Sequence, residues 1–268
     1  MSRAVLVTGA SSGIGEACAL QLAQRGWRVH AGVRSDGDAP AGTEPVPLDV
    51  TDEEQIRAAS AAIGDLDGLV NNAGIALAAP LEFIPVRELR RQLDVNLVGA
   101  VAVTQAFLPQ LRASRGRIVF VGSIAGRSAL PFLGAYAASK HALEAVADSL
   151  RLELAPFGIA VSIVEPGTIR TPIWTKSAAL ADELRAQMPA EVTRLYGERM
   201  EAFRRVAAKR GAGGASVDGV ARAVEDALSS ERPWTRKLVG RDAHLRAGLE
   251  RLPDRLRDRL LRRVLLDD

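Results

Sequence analysis

The segment Tyr136-Ala137-Ala138-Ser139-Lys140 places a phenol and an ammonium four residues apart. On a helix those two positions share a face, so Lys140 reaches the neighbourhood of the Tyr136 ring. A free phenol titrates near ~10, too high for easy proton exchange at neutral pH. A nearby cation favours the phenolate and lowers that value, which a tyrosine acting as general acid or base requires. The chain has only two tyrosines and four lysines, so the pairing is scarce material placed together. Taken alone, an ordinary helix-surface pair has the same spacing.

A second pattern opens the chain. Thr8-Gly9-Ala10-Ser11-Ser12-Gly13-Ile14-Gly15 joins an apolar run to a helix-like stretch. Glycines allow a tight turn and let a diphosphate approach the backbone, and the helix N-terminus behind them offers free N–H groups. The spacing is G-x-x-x-G-x-G, not the general G-x-G-x-x-G of dinucleotide folds, and a plain strand-to-helix turn is the bland alternative. At the end of the second strand, where an NAD enzyme carries an acid for the ribose hydroxyls, this chain has Gly32, with Arg34 two places on. A missing acid and a present arginine both favour a 2′-phosphate, hence NADP(H).

The elements that would hold these groups alternate. Strands are expected over 4–8, 28–33, 46–48, 67–70, 117–121, 160–164 and 237–239. Helices are expected over 14–25, over 52–63 (capped by Thr51 or Asp52), over about 87–111, and over 136–154. Such alternation implies βαβ units with right-handed crossovers. The fold class is therefore α/β: a Rossmann-type, doubly wound parallel sheet of about seven strands with helices on both faces. No Pro/Gly/Ser linker divides residues 1–268, so one domain is expected. Residues 211–214, rich in glycine, read as a loop.

Composition narrows the function. Of 268 residues, 47% are hydrophobic and 25% charged, enough for one large core. Thirty-five basic residues against 32 acidic leave a net charge of only +3, without the concentrated basic face of a nucleic-acid reader. A lone cysteine, Cys18, excludes an intrachain disulfide. Three scattered histidines give no local zinc signature, and no metal is expected. No run of 18 apolar residues is present, and the apolar stretch after Met1 is too short for a signal peptide. A cytoplasmic protein is the resulting expectation.

Taken together, the motifs resemble the short-chain dehydrogenase/reductase family in its short branch. The resemblance runs to about Thr171. It rests on the glycine loop, Asp49-Val50 after the third strand, and Asn71-Asn72-Ala73-Gly74 after the fourth. It continues with Asn96 in the long helix, Ser123 after the fifth strand, the Tyr136/Lys140 pair, and Pro166-Gly167 after the sixth. It implies that Tyr136 is the acid or base at a carbonyl or alcohol oxygen. Lys140 then lowers its pKa and holds the nicotinamide ribose, Ser123 orients the substrate oxygen, and Asn96 supports a water leading from Lys140 to solvent. Gly9, Ser11, Ser12, Gly13, Ile14 and Gly15 would cradle the cofactor. Asp49 and Val50 would flank the adenine, Asn72, Ala73 and Gly74 the adenosine ribose, and Pro166, Gly167, Ile169 and Thr171 the nicotinamide. Some NADP-preferring relatives carry a basic residue where Ser12 stands, which keeps NAD(H) as the alternative cofactor. A homo-oligomer, dimer or tetramer, is implied by the same resemblance.

Beyond Thr171 the reading returns to patterns. Residues 172–214 are expected to form a helical substrate lid. Leu184, Met188, Val192, Leu195, Met200 and Phe203 fall near helical spacing, Pro189 breaks the run, and Trp174 and Tyr196 are prominent in it. An apolar lid suits a bulky lipophilic alcohol or ketone. The tail, about 245–268, carries the stripe Leu249, Leu252, Leu256, Leu260 and Val264 among many arginines. From Glu231 onward there are eleven basic and seven acidic residues. Docking on protein is favoured over a membrane-surface helix, because aspartates interrupt the arginines and the stripe lacks Trp or Phe. Two further readings compete with a hydride-transfer enzyme. One is a dinucleotide sensor without turnover, against which the full Asn96, Ser123, Tyr136 and Lys140 set argues. The other is a sugar-nucleotide epimerase, against which the glycine spacing and chain length argue.

Overall fold

Alternation within the strands decides the layers. The computed structural model describes residues 2–266. Along β1 (Ala4–Thr8) every residue is buried, but successive side chains face opposite ways. Val5 and Val7 join a cluster with Cys18 and Leu22 of α1 (Gly13–Gln24) and Val220 and Val224 of α8 (Asp218–Ser229). Leu6 joins the opposite cluster, with Phe107 and Leu111 of α4 (Gly99–Ser114) and Leu143 of α5 (Gly134–Leu154). The same split recurs in β5 (Arg117–Val121), where Val119 and Val121 face one cluster and Ile118 and Phe120 the other. A strand apolar on both sides needs helices on both sides, which explains the unbroken apolar runs in the sequence.

The remaining strands are β2 (Arg28–Val33), β3 (Glu44–Pro47), β4 (Gly68–Asn71), β6 (Ala160–Pro166) and β7 (Arg236–Val239). All pair in parallel, in the order β3-β2-β1-β4-β5-β6-β7. The direction of winding reverses between β1 and β4. At such a switch point the loops leaving the strands diverge and open a crevice at their carboxyl ends. This is the expected seven-stranded Rossmann-type sheet.

Three expected element boundaries need correction. The third strand begins at Glu44, ahead of the expected 46–48, because Pro45 and Pro47 mask a strand that sits at the sheet edge, where proline is tolerated. The long helix expected over 87–111 is built of α3 (Val86–Leu93), a π-helical segment Asp94–Val98, and α4. The presumed loop at 211–214 is partly helix, since α7 (Ala190–Ala212) runs through Gly211. A Cβ there would lie 3.2 Å from Trp174 Cγ, so this glycine serves close packing of the helix on an indole rather than flexibility.

Between β6 and α8 lie α6 (Ile173–Gln187) and α7, parted at Pro189. Leu184, Val192, Met200 and Phe203 are buried and Met188 is half-buried. Leu195, counted with them from its spacing, is exposed instead. The tail forms α9 (Arg241–Leu249) and α10 (Asp254–Leu265). Ala243 and Leu265, 0% and 2% exposed, are its buried residues, whereas Leu256, Leu260 and Val264 of the sequence stripe face solvent. The final two residues of the predicted tail lie outside the described residues. No helix among the described residues is long and apolar enough to cross a membrane.

Candidate active site

The site is built from the ends of β1, β4, β5 and β6. Thr8 closes β1, and its Oγ1 accepts from the backbone N–H groups of Asn72 and Ala73, at 2.9 and 3.0 Å. Asn72 returns the contact. Its Nδ2 donates to the carbonyls of Thr8 and Gly9, at 2.9 and 3.1 Å. The glycine loop is thereby clasped to the end of β4. Gly9 and Gly13 hold φ of 64° and 61°, the left-handed region in which a side chain is strained. A Cβ on Gly9 would also stand 2.9 Å from Ala73 Cα, and one on Gly15 2.2 Å from the Gly9 carbonyl oxygen. The loop thus presents bare backbone and the start of α1 to the crevice, and these residues fit a dinucleotide's phosphates.

Of the catalytic and cofactor-binding positions expected from the sequence, all but Gly15 and Asn96 line one cleft of about 580 Å³. Gly15 lies behind the loop and fixes its fold, as the Cβ contact shows. Asn96 is buried in the π-helical segment. Its Oδ1 accepts from the Ile75 N–H at 2.8 Å, and its Nδ2 donates to the Ile75 carbonyl and to Ser139 Oγ at 2.9 and 3.0 Å. The side-chain amide is therefore committed to protein partners that tie the post-β4 loop to α5. Insertions of this π type recur at functional sites.

Arg34 and Asp49 face the cleft from the ends of β2 and β3. Burial raises the Asp49 carboxyl, but hydrogen bonds from the Thr51 hydroxyl and N–H and the charge of Arg34 outweigh it and hold the acid below its usual value. Gly32 sits under this corner, where a Cβ would already meet Leu48 Cδ2 at 3.0 Å. Lys176 of α6 reaches across to donate to Ser12 Oγ at 3.3 Å. A cation thus stands at the loop position that lacked one in the sequence. Lys176 escaped the sequence reading because it lies 164 residues from its partner.

At the other end of the cleft Ser123 caps a single 3₁₀ turn (Ile124–Gly126), its Oγ accepting from the Ala125 N–H at 3.1 Å. Tyr136 and Lys140 project from the first turns of α5. The Lys140 ammonium donates to the Val121 carbonyl at 2.8 Å and lies 5.9 Å from the Tyr136 ring centroid. Burial lowers Lys140 to about 8, against the opposing charge of Glu144 one turn on. Burial holds the Tyr136 phenol above its ordinary value, only partly offset by its hydrogen bond with Ser123 and the charge of Arg246, so the lowering expected from Lys140 is not what sets it here. Arg246, from α9, was not singled out in the sequence: it is one arginine in a tail full of them, and only the docking of α9 brings it to the cleft. Of the two prominent lid aromatics, Trp174 lines the cleft and donates from Nε1 to the Ile169 carbonyl at 2.7 Å. Tyr196 does not line it. Its hydroxyl donates to Glu82 at 2.6 Å and its ring meets Phe83 and Phe132 edge-on, fastening α7 to the loops after β4 and β5.

Comparison with known proteins agrees with this geometry. The model of the short chain dehydrogenase family matches residues 3–181. The 3-amino-tetrahydro-pyrrolizinone reductase of Xenorhabdus hominickii is 37% identical over 252 residues, covering 90% of this chain and 88% of that one. Human retinol dehydrogenase 16 is 38% identical over 259 residues, covering 90% and 81%. Among solved structures, a short chain dehydrogenase from Burkholderia cenocepacia in complex with NADP superposes with a TM-score of 0.76 at 29% identity, covering 98% of each chain.

Proposed function

The chain belongs to the short-chain dehydrogenase family, and from that premise we propose that it is an oxidoreductase exchanging a hydride between NADP(H) and a lipophilic secondary alcohol, ketone or aldehyde. The observation that carries this reading is the convergence of Ser123, Tyr136 and Lys140 on one cleft with the glycine loop. A pure dinucleotide sensor has no need of a phenol and a buried ammonium beside its ligand.

A bound nicotinamide supplies the hydride or accepts it. The protein's own part is to orient the substrate and move one proton. Ser123 Oγ holds the substrate oxygen, and the Tyr136 phenol gives it a proton in reduction or takes one in oxidation. Lys140, kept cationic close to neutral pH, supports the phenolate and the ribose. Gly9, Gly13 and the start of α1 receive the diphosphate. Arg34, with Lys176 arriving from the lid, receives the 2′-phosphate that separates NADP(H) from NAD(H). The apolar lid around Trp174 and Phe203 favours a lipophilic body on the substrate, as the name of the retinol-oxidising relative also suggests. A homo-oligomer, dimer or tetramer, is part of the same proposal.

Nicotinamide fluorescence during titration with NADPH and NADH tests the cofactor assignment. NADPH is expected to bind at least tenfold more tightly, and Arg34→Ala to remove most of that preference. Equal or tighter binding of NADH, indifferent to Arg34, contradicts it.

A further inference from the structure

Arg246 is the feature of the cleft that the proton chemistry does not use. It lines the cavity beside Tyr136 and is half-buried. One Nη2 donates to the Ser128 carbonyl, and its buried Nε has no acceptor among the described residues. The carboxylates of Asp242 and Glu250 attract it from nearby, but their hydrogen bonds among the described residues go to other groups. Asp242 accepts from the Thr168 N–H at 2.6 Å, and Glu250 pairs with Arg257 at 2.9 Å. Opposing them is a like charge, Arg210 of α7, which has no acidic partner among the described residues. The acids that do line the cleft, Asp49 and Asp94, sit on other elements, after β3 and after α3. Two guanidinium groups thus face one cavity, neither of them in an ion pair among the described residues, and one keeps a buried donor unpartnered.

We propose that Arg246 and Arg210 form an oxyanion subsite, so that the substrate is an apolar alcohol or ketone carrying a carboxylate or a comparable acidic group. The inference rests on the oxidoreductase reading and narrows its substrate class. The cleft that holds the pair also carries the apolar residues Leu130, Leu133, Phe203, Val206 and Leu265. An acid headgroup on the arginines leaves the substrate's hydrocarbon against that wall and its oxygen within reach of Ser123 and Tyr136. Such a charge-assisted contact discriminates strongly between an acid and its neutral ester.

The test compares 3-hydroxydecanoate with its methyl ester as substrates for oxidation with NADP⁺. The ratio of their kcat/KM values is read, because damage to folding, to the cofactor site or to the Tyr136 pKa acts on both and cancels. Arg246→Met is expected to lower the acid-to-ester ratio at least tenfold. Arg210→Met, an exposed position safe for folding, is expected to lower it about threefold, and Arg246→Lys to restore part of the loss. Calorimetry with decanoate and decanamide, with and without NADP⁺, reads the same preference without turnover, and the acid is expected to bind at least tenfold more tightly to the unmodified protein. A ratio unmoved in both variants, or an amide that binds as well as the acid, overturns the subsite. Oxidation of neither substrate, nor of any other alcohol, sinks the oxidoreductase reading instead, and the calorimetric comparison then decides the subsite by itself.

Discussion

Asn72 illustrates how a residue read as a ligand contact serves first as a clasp. Its Nδ2 joins two carbonyls of the glycine loop, and the Thr8 hydroxyl closes the arrangement from the opposite side. These groups are half-buried or buried, so an orphaned carbonyl there costs about 1–3 kcal/mol. Asn72→Ala is therefore expected to lower unfolding stability by about that amount in urea and to weaken nicotinamide-cofactor binding in the same protein. Unchanged stability with weakened binding would show direct ligand contact alone. The pattern of residue types made most of the site visible in the sequence. Gly9, Gly13, Ser123, Tyr136 and Lys140 carry chemistry in their types and spacing, and they meet because each follows a strand or opens a helix. Arg246 and Lys176 could not be found that way. Nothing in their local sequence distinguishes them, and their role depends on where α9 and α6 dock.

At the scale of elements, the strands were legible wherever two buried faces impose a continuous apolar run, as in β1, β5 and β6. The edge strand β3 was blurred by its prolines, and the π-helical segment at Asn96 leaves no signature in hydrophobic spacing. The tail shows a related limit. Its periodic stripe was plain, but periodicity does not say which side of a helix meets protein, and Leu265 rather than the Leu256–Leu260–Val264 side is buried. Leu265 also lines the cleft, so α10 contributes to the site it covers. Leu265→Ala is expected to cost about 2 kcal/mol of stability and to raise KM for an apolar substrate more than it lowers kcat. Denaturation and steady-state kinetics on the purified variant measure both, and a KM unaltered within error would remove α10 from the substrate wall.

Across the whole molecule, a charged network behind the site links α5, β6 and β7. Glu165 is fully buried and accepts from Arg127 at 2.7 Å. Glu144 accepts from Arg236 at 3.0 Å and lies one turn beyond Lys140. Burial, with the charge of Glu165, raises Glu144 to about 7. An acid raised in the folded state binds more protons than in the unfolded chain between its ordinary value of 4.5 and about 7. Stability therefore falls as pH rises through that window, and the contribution is fully present only below it. His30 works the other way, since burial lowers it. The contrast with Glu144→Gln isolates the carboxyl: the Tm of the unmodified protein minus that of the variant is expected to shrink by roughly 3–6 °C between pH 5 and pH 7.5. A difference independent of pH would place the proton elsewhere.

Tyr136 is the group on which the proposed proton transfer turns. Tyr136→Phe keeps the ring and removes the one proton that the site moves. It is expected to bind the nicotinamide cofactor within about threefold of the unmodified protein while kcat for carbonyl reduction drops by roughly 10³ or more. Turnover near the unmodified rate, with cofactor binding intact, would contradict the assignment of this cleft as a proton-relay active site.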